Sequence, residues 1–397
     1  VAIKVNTQPK IRRWFVVFSV LVLVAAGAIW WFGQPQQVVR QTGQVKDKVS
    51  PPKLVSAQTN LAFVGDIFLG RGVDAKARAT QNHDKYPFEN LDSFQLENYQ
   101  SVIGNLECPS VNDQVDYQQQ FELLLFNCPT SYLPQLAEHF DIVSLANNHT
   151  DNQGGQDGLQ TTRQNLAEQN IDFFGNYEPA VLDDICKLIP IEVELMYSDG
   201  SKQTDQIAVQ FCGYHTVFRH ATDTEIAAIT TGSGLPTFVM PHSGAEYRAE
   251  PIAGKITEFR AMIDAGADAV IGAHPHWVQS AEVYNSKLIA YSLGNFMFDQ
   301  LPGETSLGAL LGAQLQIDDL DYLQQLRDIA DKCQSLTDCQ QLDTLQKPQL
   351  KLRYDVEAVD IVDYRPQLGS ASSLKKVTER LNLPDAITVD SEIEPSM

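Results

Sequence analysis

Short apolar runs recur along this chain, and each stops at a turn residue followed by a carboxylate, an amide or an imidazole. Asn60–Val64 ends at Gly65-Asp66, Ser101–Ile103 at Gly104-Asn105-Leu106-Glu107, and Asp141–Leu145 at Ala146-Asn147-Asn148-His149. Thr237–Met240 runs into Pro241-His242, and Asp268–Ile271 into Gly272-Ala273-His274-Pro275-His276. A brief apolar run bounded by turn formers reads as a buried strand. Polar groups waiting at successive strand ends are what a site assembled along the edge of an α/β sheet requires. The pattern therefore constrains both the fold and the place of the chemistry.

Asp66, Glu107, Asn148, His242, His274 and His276 together offer oxygen and nitrogen, and none of these segments offers a cysteine pair. Such a donor set favours zinc, manganese or iron over a thiolate site or an all-oxygen calcium site. His274-Pro275-His276 is the strongest element, because Pro275 cannot join a strand ladder and holds both rings on a fixed loop. Taken singly, the others have plainer readings. A strand-end Asp often caps a turn, Asn adopts the left-handed conformation readily, and a loop histidine is usually just solvated.

Gly155–Gln169 and Lys255–Ala265 have helical spacing, with further strands expected at Asp172–Phe174, Ala281–Tyr284, Leu288–Tyr291 and Lys351–Asp363. Strands alternating with helices predict an α/β fold, and the alternating stretches in 186–212 add antiparallel strands, so the sheet is expected to be mixed. Residues 318–347 are polar and Gln-rich and read as a helical insertion, and 366–397 read as a tail. Gly294–Gln300 reads as a tight turn supporting the site, with no chemistry of its own. No internal repeat is present.

From Trp14 to Phe32 the chain carries no charge, which at the helical rise gives about 28 Å, roughly a bilayer's hydrocarbon thickness. Arg12 and Arg13 before it place residues 1–13 in the cytoplasm. A transmembrane signal anchor is expected; the rival is a signal peptide cleaved near Ala26-Gly27-Ala28, although the apolar run continues past that point. Residues 33–57 read as a linker, and all that follows is expected outside the cytoplasm, anchored to the cell membrane by a single pass. Of 29 basic and 50 acidic side chains, residues 1–53 hold eight and one, so the rest carries 21 against 49, a net of −28. Such a surface repels nucleic acid. Outside the cytoplasm disulfides persist. Neighbour pairing (Cys108–Cys128, Cys186–Cys212, Cys333–Cys339) is the expected connectivity, with free buried thiols as the alternative.

The segments GDIFLGR (65–71), GNLE (104–107), LANNH (145–149), HSGAEY (242–247), GAHPH (272–276) and SLGNFMFDQ (292–300) resemble, in order, those of the CapA family. That family is associated with poly-γ-glutamate capsule synthesis and export, and its domain is similar to the calcineurin-like metallophosphoesterases. The resemblance covers roughly residues 58–318 and the strands near 350–363. It implies a four-layer α/β/β/α sandwich over 58–365, behind the transmembrane helix.

Position by position it implies Asp66, Glu107, Asn148, His242, His274 and His276 as metal ligands and His149 as the general acid. Arg71 could offset negative charge on a substrate. Four departures matter. Phe68 stands where phosphoesterases place a histidine, Asn105 where they place the bridging aspartate, Ser243 where relatives commonly have Trp, and Asn152 where an aspartate follows the third-motif histidine. Glu107, Asn148, His242 and His274 then make one firm position for a divalent metal (Mn, Zn or Fe). Asp66, His276 and a shared Glu107 make a weaker second.

The expected role is a membrane-anchored protein of poly-γ-glutamate capsule assembly or export, partnered by capsule-synthesis membrane proteins. The acidic domain would hold the polymer itself poorly unless cations bridge the two. The alternatives are a hydrolase of phosphoesters or polymer amide links, and a catalytically silent scaffold.

Overall fold

The first strand, β1 (Leu54–Ile67), organises the rest of the molecule. The computed structural model describes residues 51–383, except 113, 114, 116 and 180, and the backbone of 386–389. The segments expected at 1–13 and 14–32 lie outside the described residues, as does most of the linker. Among the described residues no helix is long and apolar enough to cross a membrane. The strand begins at Leu54, inside the stretch expected to be linker.

The other strands are β2 (Ser101–Leu106), β3 (Ile142–Ser144), β4 (Asp172–Phe174), β5 (Cys186–Tyr197), β6 (Lys202–Thr216), β7 (Thr237–Ser243) and β8 (Ala269–Ile271). After them come β9 (Ala281–Tyr284), β10 (Lys287–Ala290), β11 (Asn295–Met297), β12 (Leu307–Ile317), β13 (Lys351–Val362), β14 (Arg365–Leu368) and β15 (Ala386–Val389). Along one edge β1 pairs antiparallel with β12. Along the other it forks. Its first residues pair antiparallel with β5, and Leu61–Ile67 pair parallel with β2. One branch continues in parallel through β3 and β4. The other runs through the β5–β6 hairpin into parallel β7, β8 and β10, as the mixed sheet expected from the sequence.

Alternation along β1 feeds two cores. Leu61 and Phe63 enter one apolar cluster, Ala62 and Val64 the other. The branches face each other through aromatic rings, with Phe63 and Phe238 centroids 5.2 Å apart and Phe174 and Phe211 5.6 Å apart. Burying each such ring contributes roughly 1.5–3 kcal/mol. Helices α1 (Arg71–Arg78), α3 (Leu133–Leu136) and α4 (Gly155–Glu168) pack on the second cluster; α2 (Tyr117–Leu123) lies between α1 and α3 in the chain. Helices α5 (Asp223–Thr231), α6 (Ala253–Asp264), α7 (Leu320–Lys332) and α8 (Ala371–Leu381) pack on the first. The fold is thus mixed α/β and dominated by sheet.

Two expectations change. The stretch 318–347, read as a helical insertion, opens with α7, which buries Tyr322, Leu323, Leu326 and Ile329 in the core where a polar composition suggested a surface segment. The supposed tail carries β14 and α8, and α8 buries Val377 and Leu381 while Arg380 pairs with Glu304 at 2.9 Å. Both helices hide one narrow apolar stripe under many polar residues, so composition masks them. The cysteines pair as neighbours, Cys108–Cys128, Cys186–Cys212 and Cys333–Cys339.

Candidate metal centre

The polar ends of β1, β2, β3, β7 and β8 meet at one buried place. Asp66 closes β1, and its amide donates to the Gly294 carbonyl at 3.0 Å. That approach requires glycine at 65, where a Cβ would lie 1.8 Å from the same oxygen. Glu107 follows β2, Asn148 and His149 follow β3, and His242 lies within β7, one residue past Pro241, so this strand outlasts its expected end. His274 and His276 follow β8 with φ of 94° and 57°. A side chain in that left-handed region costs of order 1–3 kcal/mol. Both rings enter the candidate ligand groups, and their centroids lie 6.0 Å apart.

Ligand-capable atoms converge in two groups, Glu107 with His242 and His274, and Asp66 with Glu107 and His276, each within 4.8 Å. In the first group His242 Nε2 lies 2.8 Å from Asn148 Oδ1, 3.1 Å from His274 Nδ1 and 3.8 Å from Glu107 Oε1. Donor atoms about 2.0–2.2 Å from a tetrahedral cation are separated by roughly 3.3–3.6 Å. The observed spacing brackets that value. In the second group His276 Nδ1 lies 3.3 Å from Asp66 Oδ2, and its Nε2 lies 3.9 Å from Glu107 Oε1.

Glu107 is wholly buried, and neither of its carboxylate oxygens has a hydrogen-bond partner. Burial, reinforced by the charge of Asp66, pushes its carboxyl well above the usual range. An uncompensated buried carboxylate costs several kcal/mol. Burial, and then the neighbouring imidazoles, hold His242 and His274 well below the usual histidine value. Neutral imidazoles are the form that ligates, and the raised Glu107 carboxyl would give up its proton as it ligates. The residues present therefore fit a divalent cation. Asn105, by contrast, is spent: its amide donates to Asp66 Oδ1 at 2.8 Å, lies 3.1 Å from His242 Nδ1, and accepts from Asn147 at 3.1 Å.

His149 stands at the rim. Its ring stacks on Phe126 at 3.7 Å, and Nε2 is 3.9 Å from Glu107 Oε1. Nδ1 is 2.8 Å from Asn152 Oδ1, an oxygen that also accepts the Phe126 amide. Because Oδ1 is an acceptor, Nδ1 carries the proton and Nε2 the lone pair in the neutral ring. Burial lowers this histidine to about 4. Arg71 lies next to the site, but its guanidinium makes a bidentate pair with Asp299 at 2.5 and 3.0 Å and sits 4.4 Å from the Phe126 ring centroid. Any offset of substrate charge would come from an ion pair.

Two working residues lie in the 292–300 segment to which the sequence assigned no chemistry. Asp299 holds Arg71. Asn295 Oδ1 lies 2.9 Å from His276 Nδ1, while its amide nitrogen donates to the Thr305 carbonyl and so fixes which atom faces the ring. Residues 295–297 form strand β11, paired with β1 at Asp66 and Ile67. An asparagine directly after Gly294 (φ 71°), in a segment already marked as supporting the site, was the available signal.

Fold and site define a class: a mixed α/β protein whose strand ends gather a candidate metal centre. The chain belongs to the bacterial capsule synthesis protein family PGA_cap, whose model matches residues 60–300. It is 26% identical over 327 residues to the capsule biosynthesis protein CapA of Bacillus anthracis, covering 78% of this chain and 74% of that one. To the PGA biosynthesis protein CapA of Bacillus subtilis it is 30% identical over 290 residues, covering 70% of this chain and 71% of the relative. A crystal structure from Thermus thermophilus aligns with a TM-score of 0.34 and 7% identity over 64% of this chain and 93% of its own.

Proposed function

We propose that this chain is a membrane-anchored, extracytoplasmic protein serving poly-γ-glutamate capsule synthesis or export, built on a four-layer metallophosphoesterase-type sandwich around a divalent-metal site. Family membership supports the capsule role. The observation that carries the metal site is the Glu107 carboxylate, buried without a partner within 3.9 Å of three imidazoles. Glu107, Asn148, His242 and His274 would hold the first cation, and Asp66 and His276, with Glu107 shared, a weaker second. The apolar run 14–32 supports the anchor, with capsule-assembly membrane proteins as partners.

A hydrolytic role is the second reading, favoured by the placement of His149. A cation at this site supplies Lewis acidity toward a phosphoryl or carbonyl oxygen. The protein's own part is to shield the site with Phe126, stacked on His149, and Phe298, whose ring centroid lies 4.8 Å from that of His276, to hold the His149 ring through Asn152, and to exchange a proton at Nε2. With its value held near 4, His149 rests neutral; it gives a proton to a leaving group only after taking one up.

Elemental analysis of purified protein, with a phosphodiester assay in added manganese or zinc, tests both readings. At least one metal equivalent per chain is expected, with His274→Ala losing it. Turnover abolished in His149→Ala with the metal retained supports the hydrolase; metal-free wild-type protein with full capsule function refutes the metal site.

A further inference from the structure

The inner face of β6 carries a histidine that nothing above uses. Alternation along β6 sends Tyr214 and Thr216 outward, where they bond to the Glu225 carbonyl on α5 and to Glu258 on α6. Gly213 and His215 face the other way. A Cβ on Gly213 would lie 2.9 Å from Ala146 Cβ, so this face abuts the loop that carries Asn148 and His149. In the parallel register of β6 and β7, His215 stands opposite His242, one strand from a candidate ligand. Neighbouring strands are about 4.8 Å apart.

His215 is only 6% exposed. Its Nδ1 lies 3.2 Å from the Tyr177 carbonyl, which can only accept, so Nδ1 carries the hydrogen. The neutral ring's Nε2 is therefore an acceptor, and it is buried with no hydrogen-bond partner. Leaving such an atom unmade costs about 1–3 kcal/mol. Aromatic groups wall the ring. Tyr177 lies against it at 5.7 Å, and Phe218, 81% exposed, meets it edge-on at 5.7 Å. Phe218 thus presents an exposed apolar ring beside this imidazole.

We infer that His215 is a substrate-positioning residue whose Nε2 accepts a hydrogen bond from an N–H or O–H of the molecule held at the metal centre, with Phe218 covering the bonded group. The inference rests on the metal-centre reading and adds to it the kind of group the substrate must bring: a neutral donor close to the bond or group the cation engages. A purely anionic ligand does not satisfy Nε2. An amide N–H and a sugar hydroxyl both do.

The test uses the full chain loaded with Mn2+ and two probes. One is γ-glutamyl-γ-glutamate, which brings an amide N–H; the other is the p-nitrophenyl ester of thymidine monophosphate, which brings a hydroxyl. Each is paired with an analogue methylated at that one donor, the peptide amide nitrogen or the 3′-hydroxyl, with the dipeptide's ammonium and the thymine N–H left unchanged. For one probe, His215→Ala is expected to weaken binding about tenfold. Its methylated analogue should bind both proteins alike, His215→Gln (which keeps an acceptor oxygen) should recover part of the loss, and the Mn2+ content should not change. The identity of the sensitive probe says whether the donor is an amide or a hydroxyl. Wild type that binds neither probe, or His215→Ala that binds both as wild type does, overturns the inference while the metal centre stands. So does loss of Mn2+ in His215→Ala, which would mark the ring as structural. Wild type that takes up no Mn2+ fails the metal-centre reading, and this inference with it.

Discussion

Replacing Glu107 with glutamine should stabilise the protein in chelator and weaken it in metal. In wild type the side chain is fully buried, both oxygens lack partners, and Asp66 adds a like charge nearby. Glutamine keeps the shape and removes the charge. The amide stays polar and buried, so what the change removes is the cost of ionising a buried group beside Asp66, about 1–3 kcal/mol or more once the carboxyl is charged. With metal the sign reverses, because the shared ligand is lost and affinity should fall by at least the roughly 10–100-fold seen for outer-shell changes. Urea unfolding with EDTA and with saturating manganese, on wild type and Glu107→Gln, measures both arms.

The pH dependence sharpens this test. A carboxyl raised in the folded state binds protons more tightly there than in the unfolded chain, whose value is near 4.5. The folded form is therefore favoured at low pH, and that contribution is lost as pH rises from about 4.5 through the folded value. In EDTA the advantage of Glu107→Gln over wild type should grow across that window. A variant no more stable than wild type in EDTA at neutral pH would show that Glu107 is compensated by something other than a cation, and the argument from its orphaned oxygens would fall.

Three other perturbations read other parts of the site. Asn152→Asp puts a carboxylate on His149 Nδ1 and should raise that histidine from about 4, moving the acidic limb of any pH–rate profile upward; an unmoved limb would exclude His149 as the titrating group. Asn295→Ala removes the partner of His276 Nδ1 and should lower affinity at the Asp66–His276 position about 10–100-fold with the first position intact, as read by metal titration. Cys186→Ala with Cys212→Ala opens a link of sequence separation 26 and should cost about 3.5 kcal/mol in urea unfolding, with metal content unchanged.

What the sequence shows of this molecule follows from how local each signal is. Asp66, Glu107, Asn148 and the three histidines stand directly after apolar strands, so their shared destination was legible before any pairing was known. Glu107 could be preferred over Asn105 on charge alone. The fork at β1 was not legible, because one strand's edge pairs with β5 and β2 in turn, and such register is set by partners far away in the chain. Leu307–Ile317 escaped detection because it is buried on both faces and shows no clear alternation. Asn295 and Asp299 act only through hydrogen bonds to His276 and Arg71, which lie 19 and 228 residues away.

The departures from the phosphoesterase pattern combine into one asymmetry. At the Asp66–His276 position Asp66 is heavily engaged, Oδ1 accepting from Asn105 and Oδ2 facing the His274 amide at 3.3 Å, while Asn295 on His276 Nδ1 leaves Nε2 as that ring's ligand atom. Phe68 supplies no ligand there, and its ring instead lies 5.0 Å beneath the Arg71 guanidinium. At the other position the donors also touch one another, His242 Nε2 lying 2.8 Å from Asn148 Oδ1 and 3.1 Å from His274 Nδ1. Glu107 belongs to both positions, so its unpartnered oxygens serve either; the difference lies in ligand number, with Asn148, His242 and His274 on one side and only Asp66 and His276 on the other. On the proposed reading of one firm metal and a weaker second, the site would suit orienting a ligand through one metal better than clamping an attacking and a leaving oxygen, which needs both positions filled.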